Sequence, residues 1–406
     1  MLRNFTKQVQ RTIAHSGWRG YTINNKIVLG IETSCDDTGI AIMDESGRII
    51  SETLITHSQL VADWGGVHPH EISKAHKKTL DGAIEETINK SNLQTSDIDA
   101  IAVTNGPGLM SCLRTGVEAA QQLSQRTNIP LISVHHLEAH LLIARGLSKE
   151  SSNLQFPFLV LLASGGHCVI VEANGIGDYK FIGGTLDDSI GEAFDKIARL
   201  LNLDVSVNSG GHEIERIVKL HDGDPKQFKF PIPMMGPKRS EISFSFSGLK
   251  SSALWQVRKL ENSTINNKEL NLLVMNQKNK SQNPKLNLST KVVADLAASF
   301  QSTAIAHLVD KTDIALKKCK QNRNIKDLVV CGGVAANMLL RDEMQTLCNK
   351  HNFNLHLPPI KYCTDNGVMV AWAGLEKLKS GLATSDVTLK PRWPLFEYTI
   401  NTSQDA

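Results

Sequence analysis

Three patterns are scarce or absent in this 406-residue sequence, and each absence argues against a class of protein. The seven cysteines include no Cys-x-x-Cys pair, which argues against a structural zinc cluster and favours a reducing compartment. No uninterrupted apolar run approaches the roughly 18 residues of a membrane helix, so we expect no membrane association. The net charge of +3 is too small to attract a nucleic acid by itself, so such a partner would require a local basic patch.

Acidic residues are missing from the amino terminus, where the first one is Glu32. Basic and apolar residues occupy this stretch instead: Arg3, Lys7, Arg11, Arg19 and Lys26, and, at helical spacing, Leu2, Phe5, Val9 and Ile13. A basic amphipathic helix without acids is typical of a mitochondrial presequence. We therefore expect residues 1–26 to direct the chain to the mitochondrial matrix. The alternative is a basic tail without defined structure.

The order of predicted secondary-structure elements occurs twice along the chain. Apolar runs bounded by turns predict strands, and helical periodicity predicts helices. The first set comprises strands at 27–31, 39–43, 49–55, 98–103 and 131–134, and helices at 72–89, at 111–125 and from 136. The second set comprises strands at 158–163, 168–172, 179–182, 328–331 and 353–357, and helices at 187–201, 335–348 and 364–378.

Two halves with one order of elements predict an α/β protein with a duplicated two-lobe architecture and a cleft between the lobes. Residues 27–155 would form the N-terminal lobe, completed by residues 358–390, and residues 156–357 would form the C-terminal lobe. A hydrophobic content of 41% is sufficient for a core in each lobe. Residues 261–290 are rich in Asn, Lys and Ser, so we expect a flexible surface insertion there.

His136 and His140 stand four residues apart on a predicted helix, so both imidazoles lie on one face, one turn apart. This spacing suits a divalent metal, and two histidines on a half-buried helix without a metal are the alternative. Glu138 follows His136 by two positions and points away from the histidine face. The sequence therefore does not match the His-Glu-x-x-His helix of zinc proteases, in which the glutamate is the general base.

Asp365 is the third candidate metal ligand. When the two halves are aligned, the helix predicted to begin at residue 364 corresponds to the one that begins at His136, so Asp365 would face the same cleft. An aspartate near a helix start can also be only a cap. Two imidazoles and one carboxylate with open positions indicate a catalytic metal site, which suits zinc or iron.

Turns follow the strands at corresponding places in the two halves, and those of the second half contain Gly-Gly pairs. The turn Ser164-Gly165-Gly166 allows backbone N–H groups to approach a phosphate, because no Cβ intervenes. Thr33, Ser34, Asp36 and Asp37 form the facing turn, and Gly332-Gly333 precedes a helix. The paired turns resemble the architecture of the actin, sugar kinase and Hsp70 ATPase superfamily, in which each lobe contributes a turn to a nucleotide site. A Gly-Gly turn alone is weak support, since hairpins also require glycine.

Six motifs resemble one known family. They are Ile31-Glu-Thr-Ser-Cys-Asp-Asp-Thr38, His135-His-Leu-Glu-Ala-His140, Ser164-Gly-Gly-His167, Gly191-Glu-Ala-Phe-Asp-Lys196, Phe244-Ser-Phe-Ser-Gly-Leu-Lys250 and Cys331-Gly-Gly-Val-Ala-Ala-Asn337. These motifs, spread over residues 27–391, closely resemble the tRNA threonylcarbamoyladenosine transferase family, called TsaD in bacteria, and with the presequence its eukaryotic mitochondrial members. One segment departs from the family pattern, because residues 204–211 are longer than the usual Tyr-Pro-Gly-Gly.

The resemblance implies roles for individual residues. The family's metal ligands fall on His136, His140 and Asp365. Its nucleotide and substrate contacts fall on Leu162, Ala163, Ser164, Gly165, Gly166, Asp195, Gly211, Glu215 and Asn337. Asp36 and Asp37 are the candidates for proton transfer or for ordering a water molecule, and the sequence does not decide between them.

The resemblance also implies a reaction. The threonylcarbamoyl group of threonylcarbamoyl-adenylate, made by a separate synthase, would pass to the exocyclic amine of adenosine 37 in mitochondrial tRNAs that read codons beginning with A. One divalent metal ion, zinc or iron, is expected per subunit, and a homodimer is expected. The alternatives are a metal-dependent glycoprotease and a non-catalytic nucleotide-binding scaffold. Candidate tRNA contacts are the basic residues Lys74, Lys77, Lys78, Lys238, Arg239 and Lys250.

Overall fold

The computed structural model describes residues 25–64, 66–147, 154–206, 208–237, 239–261, 286–322 and 325–396. The predicted presequence lies outside the described residues except for its last two positions. Most of the predicted insertion, residues 262–285, also lies outside them.

Ten strands and ten helices make up the described part of the chain. The strands are β1 (Ile27–Glu32), β2 (Asp37–Asp44), β3 (Ile49–Thr56), β4 (Ala100–Gly106), β5 (Leu131–His135), β6 (Phe158–Ala163), β7 (Cys168–Gly175), β8 (Asp178–Gly184), β9 (Asp327–Cys331) and β10 (Asn354–His356). The helices are α1 (Ser58–Trp64), α2 (Pro69–Ser91), α3 (Met110–Thr127), α4 (His136–Leu147), α5 (Ile190–Leu200), α6 (Gly210–Leu220), α7 (Ser247–Leu260), α8 (Thr290–Asn322), α9 (Met338–His351) and α10 (Gly367–Lys379).

The strands form two five-stranded sheets with the same topology. The first has the order β3-β2-β1-β4-β5 and the second the order β8-β7-β6-β9-β10. In each sheet the first three strands in sequence pair antiparallel, and the last two add in parallel beside the first. This repeat confirms the predicted duplicated α/β architecture.

The central strands are largely apolar because both of their faces are covered. Every residue of β1, β4 and β6 is buried. A strand that is buried on both faces shows a continuous apolar run instead of alternation. This burial explains why these strands could be predicted from apolar runs in the sequence. Glu32, the one acidic residue of β1, is buried together with the rest of that strand.

Helix α10 returns the chain to the first sheet and determines where Asp365 lies. Its amino-terminal Gly367 packs directly on β2: a Cβ on Gly39 would come within 2.5 Å of the Gly367 nitrogen. Such a contact is possible only when both positions are glycine. The close approach places the loop before α10 above the carboxyl end of β1, next to the start of α4.

Two helix starts differ from the sequence prediction. The helix predicted from residue 364 begins at Gly367, because Asn366 caps it by accepting a hydrogen bond from the Met369 N–H. The helix predicted from residue 335 begins at Met338 after a short 3₁₀ turn, and Asn337 is its cap. Phe244 forms one isolated β-bridge with Thr185.

Helix α8 was not predicted, although it is the longest in the described chain. By length and composition its residues Thr290–Lys320 could cross a membrane. However, 72% of its most apolar window is buried inside the protein, where it packs against α6 and α9. This burial is typical of a core helix in a globular domain.

Candidate active site

Helix α4 begins directly after β5, and His135 fixes that junction. Its Nδ1 accepts hydrogen bonds from the N–H groups of Leu137 (3.1 Å) and Glu138 (3.4 Å), and its Nε2 donates to the Trp393 carbonyl at 2.9 Å. Burial, the leading cause, holds the pKa of His135 well below its usual range, so the ring stays neutral and can accept at Nδ1. The sequence analysis assigned a role to the next residue, His136, and none to His135.

His136, His140 and Asp365 converge as predicted. His140 Nε2 lies 3.0 Å from Asp365 Oδ1, and His136 Nε2 lies 3.7 Å from the same oxygen. Their potential ligand atoms all lie within 4.8 Å of one another, and this is the one such group among the described residues. Two imidazole nitrogens and a carboxylate oxygen suit zinc or iron better than calcium or magnesium, which prefer oxygen ligands.

Glu32 holds His136 from behind and was missed by the sequence reasoning. Its Oε2 lies 3.3 Å from His136 Nδ1, so the other ring nitrogen faces Asp365. The carboxylate is itself fixed by hydrogen bonds of 2.6 Å from the Thr104 hydroxyl and from the Ser34 N–H. A carboxylate behind a ligating histidine orients the ring and raises its basicity. The available signal was a single acid at the end of a wholly apolar strand.

Opposite charges govern the pKa values at this centre. Burial disfavours the imidazolium of His136, but the charges of Asp365 and Glu32 outweigh it and raise its pKa to about 9. Burial likewise opposes ionisation of Asp365, yet His136 and His140 hold its pKa well below the usual range. Burial, with the charges of His136 and His140, lowers the pKa of His167 to about 4. The carboxylates of Glu32 and Asp365 thus favour a positive charge at this centre.

Glu138 is turned away from the metal centre, as its position on the helix predicted. Its Oε1 accepts hydrogen bonds from the Gly177 N–H and the Tyr179 hydroxyl, both at 2.9 Å. Its Oε2 lies 3.0 Å from the ammonium of Lys377, and both of these side chains are fully buried. Glu138 therefore joins α4 to the β7–β8 turn and to α10. It does not reach the metal site as a protease base would have to.

Asp37 is the first residue of β2. Burial, followed by the charges of Asp36 and Asp365, raises its pKa to about 8. The charge of Asp36 also contributes to raising the pKa of Asp195, in which burial is again the main cause. Asp195 lies on α5, so the charge of Asp36 in the first half of the chain acts on a residue of the second half.

The β6–β7 turn is closed by Ser164. Its hydroxyl accepts hydrogen bonds from the N–H groups of Gly166 (3.3 Å) and His167 (3.0 Å). A Cβ on Gly165 or Gly166 would meet no atom within 4 Å, so both glycines border open space. Gly191 at the start of α5 packs against the turn, since a Cβ there would lie 2.7 Å from the Gly165 Cα.

The other predicted nucleotide contacts lie on α5, on α6 and at the start of α9. Asp195 Oδ1 accepts the Gly210 N–H at 2.7 Å, which fixes the first turn of α6 beside Gly211. Glu215 Oε1 accepts the Met338 N–H at 2.9 Å, and Asn337 caps the same helix. The structure thus gives Glu215 and Asn337 helix-capping hydrogen bonds. Leu162 and Ala163 are fully buried in β6, so the structure exposes neither residue to a ligand.

Comparison with known proteins decides the family. The family model described as TsaD, tRNA N6-adenosine threonylcarbamoyltransferase, matches residues 48–372. The chain belongs to this family. A probable mitochondrial tRNA N6-adenosine threonylcarbamoyltransferase of Arabidopsis thaliana is 40% identical over 92% of this chain and 76% of its own length. The tRNA N6-adenosine threonylcarbamoyltransferase of Rickettsia peacockii is 40% identical over 91% of this chain and 98% of its own.

Solved structures support the fold alone. The chain is similar to T. kodakarensis HypF with a TM-score of 0.53 and 14% sequence identity. The similarity covers 90% of this chain and 49% of HypF. The family relatives therefore connect the chain to its enzyme class, and the structural neighbour shows that a solved protein has a similar fold.

Proposed function

We propose that this chain transfers the threonylcarbamoyl group of threonylcarbamoyl-adenylate to N6 of adenosine 37 in mitochondrial tRNAs that read codons beginning with A. The observation that carries the proposal is the convergence of His136, His140 and Asp365 in a chain that matches the threonylcarbamoyltransferase family. The reaction forms a bond between N6 and the carbamoyl carbon, breaks the bond from that carbon to a phosphate oxygen, and releases AMP and one proton.

The adenylate is proposed to bind along the second lobe. Its phosphate would lie at Gly165 and Gly166, which border open space at the β6–β7 turn. Its ribose would lie near Asp195 and Glu215, whose carboxylates can accept hydrogen bonds from hydroxyl groups. The remaining proposed contacts are Leu162, Ala163, Ser164, Gly211 and Asn337.

His136, His140 and Asp365 would hold one zinc or iron ion, and Glu32 would keep the His136 ring in place. When bound, the ion supplies Lewis-acid polarisation of a carbamoyl or phosphate oxygen. His140, Glu32 and Ser34 are buried around this position, whereas the side chain of Asp365 is 24% exposed. The centre is therefore enclosed on the side of Glu32 and accessible to a substrate on the side of Asp365.

Asp37 is the proposed acceptor for the proton that leaves N6. A carboxyl group whose pKa is raised towards neutrality both accepts and releases a proton under working conditions. Asp36, the second candidate from the sequence, would act through its charge on Asp37 and Asp195. Measuring KM and kcat for Asp36→Asn and Asp37→Asn separates these roles. Loss of the proton acceptor in Asp37→Asn should reduce kcat even at saturating substrate concentrations.

The mitochondrial matrix is the proposed location. The basic, acid-free composition of residues 1–26 and the similarity to an Arabidopsis relative described as mitochondrial both support it. A homodimer is proposed from the family resemblance, and light scattering of the purified chain tests it.

The basic residues expected to contact tRNA differ in their surroundings. Lys77 and Lys78 are exposed on α2 and form the proposed contact. Lys74 is paired with Glu71, and Arg239 with Asp310. Lys250 is buried against Asp188, which removes it from a surface patch, and Lys238 lies outside the described residues.

Reconstitution tests the function directly. Threonine, bicarbonate, ATP, a threonylcarbamoyl-adenylate synthase, tRNA and the metal-loaded chain are incubated, and the digested tRNA is examined by nucleoside mass spectrometry. We expect threonylcarbamoyladenosine only when the chain and the synthase are both present. Equal modification without the chain would refute the transferase. Saturable nucleotide binding without any modification would favour a binding scaffold, and cleavage of a peptide substrate would favour a glycoprotease.

A further inference from the structure

A cavity of about 390 Å³ lies between the β7–β8 hairpin and the carboxyl-terminal segment of residues 391–396. Leu137, which directly follows His136, is one of its lining residues. His167 is another, and the charges of His136 and His140 lower its pKa. The cavity therefore lies near the metal centre, although none of the three candidate ligands lines it.

The cavity is separate from the proposed adenylate site. Asp195, Glu215 and Asn337 lie on α5, α6 and at the start of α9, and none of them lines it. Ser164, Gly165 and Gly166 do not line it either, whereas His167, at the end of the same turn, does. A group in this cavity would approach the metal centre from the opposite side of the β6–β7 turn.

Aromatic rings dominate the cavity walls. Phe181 on β8 and Phe396 in the terminal segment are 50% and 48% exposed, and their ring centroids lie 6.0 Å apart. Trp393 and Tyr179 line it more deeply and are nearly buried. Half-exposed aromatic rings beside a cavity are surfaces on which a planar base stacks, and such stacking tolerates any base because each has a π-face.

The charge of the lining suits a polyanion. Arg392 is exposed, and no carboxylate is present among the described residues that line the cavity. The neighbouring Lys390 adds a second positive charge, with its ammonium 4.2 Å from the Trp393 ring centroid. The other large cavity, of about 440 Å³, is lined by both Glu118 and Asp386, so its charge does not favour a nucleic acid.

We propose that this cavity receives the acceptor adenine, turned out of the tRNA anticodon loop, with Phe181 and Phe396 stacking on the base and Arg392 contacting a neighbouring phosphate. The proposal rests on the proposed function and identifies where its second substrate binds. A base held there presents its exocyclic amine to the metal centre, while the adenylate approaches from the side of Gly165. A volume of a few hundred Å³ is sufficient for a small ligand. Bases that undergo chemistry are commonly turned out of the stack into such pockets.

The test uses the full-length, metal-loaded protein and the double substitution Phe181→Ala with Phe396→Ala. Both side chains are half-exposed, so we expect the fold to be retained. Trp255→Ala is the matched control, since this residue is 64% exposed on α7 and lies outside the cavity. An anticodon stem-loop with 2-aminopurine at position 37 reports stacking through fluorescence quenching.

We expect wild type and Trp255→Ala to quench 2-aminopurine on binding, and the double variant to lose most of this quenching. Its kcat/KM for tRNA should fall about 5- to 150-fold for each lost base stack. The KM for threonylcarbamoyl-adenylate and the bound metal should not change. Arg392→Ala should weaken stem-loop binding and reduce the slope of log Kd against log salt concentration by about one.

Unchanged quenching and unchanged kcat/KM for tRNA in the double variant would overturn the proposal. A raised KM for the adenylate, with normal use of tRNA, would instead assign the cavity to the threonylcarbamoyl side. If wild type itself fails to modify tRNA under these conditions, the proposed function falls and this inference falls with it. Wild-type activity therefore distinguishes the two failures.

Discussion

The Oε2 atom of Glu32 lies 3.3 Å from Nδ1 of His136, although the two residues are far apart in the sequence. Glu32 ends β1 and His136 begins α4, so the contact exists only because β4 brings these two strand ends to the same edge of the first sheet. It turns the opposite ring nitrogen of His136 towards Asp365. The orientation of the metal centre thus depends on a residue that is not a ligand.

Glu32→Gln should weaken metal binding roughly 10- to 100-fold, since the amide holds the His136 ring less firmly and lowers its basicity. Competition with a chromophoric chelator measures the affinity. Glu85→Gln, on the exposed face of α2, is the matched control and should retain wild-type affinity. Wild-type affinity in Glu32→Gln would show that the carboxylate does not position the ring.

His140→Ala and His136→Ala should both lose the metal and the transfer activity, but they should differ in the stability of the metal-free protein. His136 compensates the carboxylates of Glu32, which is fully buried, and Asp365, which is half-buried, so its removal should cost about 3 kcal/mol at neutral pH. His140→Ala leaves that compensation in place and should cost less. Elemental analysis and urea unfolding in chelator measure the two effects, and full metal occupancy in either variant would contradict this assignment.

Asp37 should make the metal-free protein less stable as pH rises from about 4 to about 8. Its pKa is raised to about 8 by burial first and by neighbouring acids second, so the folded state binds the proton more tightly than the unfolded state. The stabilisation is complete below the unfolded pKa and is lost as pH passes the folded one, by at most about 1.4 kcal/mol per pH unit.

Urea unfolding across this pH window, in chelator, compares wild type with Asp37→Asn. The variant should lack this component of the pH dependence, whereas Asp81→Asn, exposed on α2, should retain it. Parallel curves for wild type and Asp37→Asn would show that this carboxyl does not titrate in the expected window.

Glu138→Ala should destabilise the protein without removing the metal. The substitution leaves the fully buried Lys377 ammonium without its carboxylate, and breaking a buried pair costs about 3–5 kcal/mol. Urea unfolding measures the free energy of unfolding, and elemental analysis of the same sample measures the metal content. Loss of metal at normal stability would place Glu138 in the metal site and would revive the protease alternative.

Residues 1–26 should direct a fused fluorescent protein to mitochondria. Replacing Arg3, Lys7 and Arg11 by Glu should prevent import, because a presequence requires a positively charged helix face. Replacing the same three residues by Lys, Arg and Lys keeps the charge and is the matched control. Normal import of the charge-reversed fusion, seen by microscopy, would refute the presequence interpretation.

Local patterns in the sequence determined much of this molecule. Buried strands appear as apolar runs, and the order of those runs repeats, so the duplicated fold could be predicted. His136 and His140 could be paired because helical spacing is a property of the backbone itself. Asp365 was reached through the symmetry of the halves, although it lies in the loop before α10 and not on a helix.

Contacts between distant segments required the tertiary structure. Gly367 begins α10 three residues after the predicted start, and its packing on Gly39 joins segments that are far apart in the sequence. Glu32 became part of the site only when two strand ends met, and the cavity beside Phe181 exists only because residues 391–396 return to the β7–β8 hairpin. Periodicity is set by neighbours along the backbone and can be predicted from the sequence. These contacts are decided by how the sheets, helices and terminal segment pack together in space.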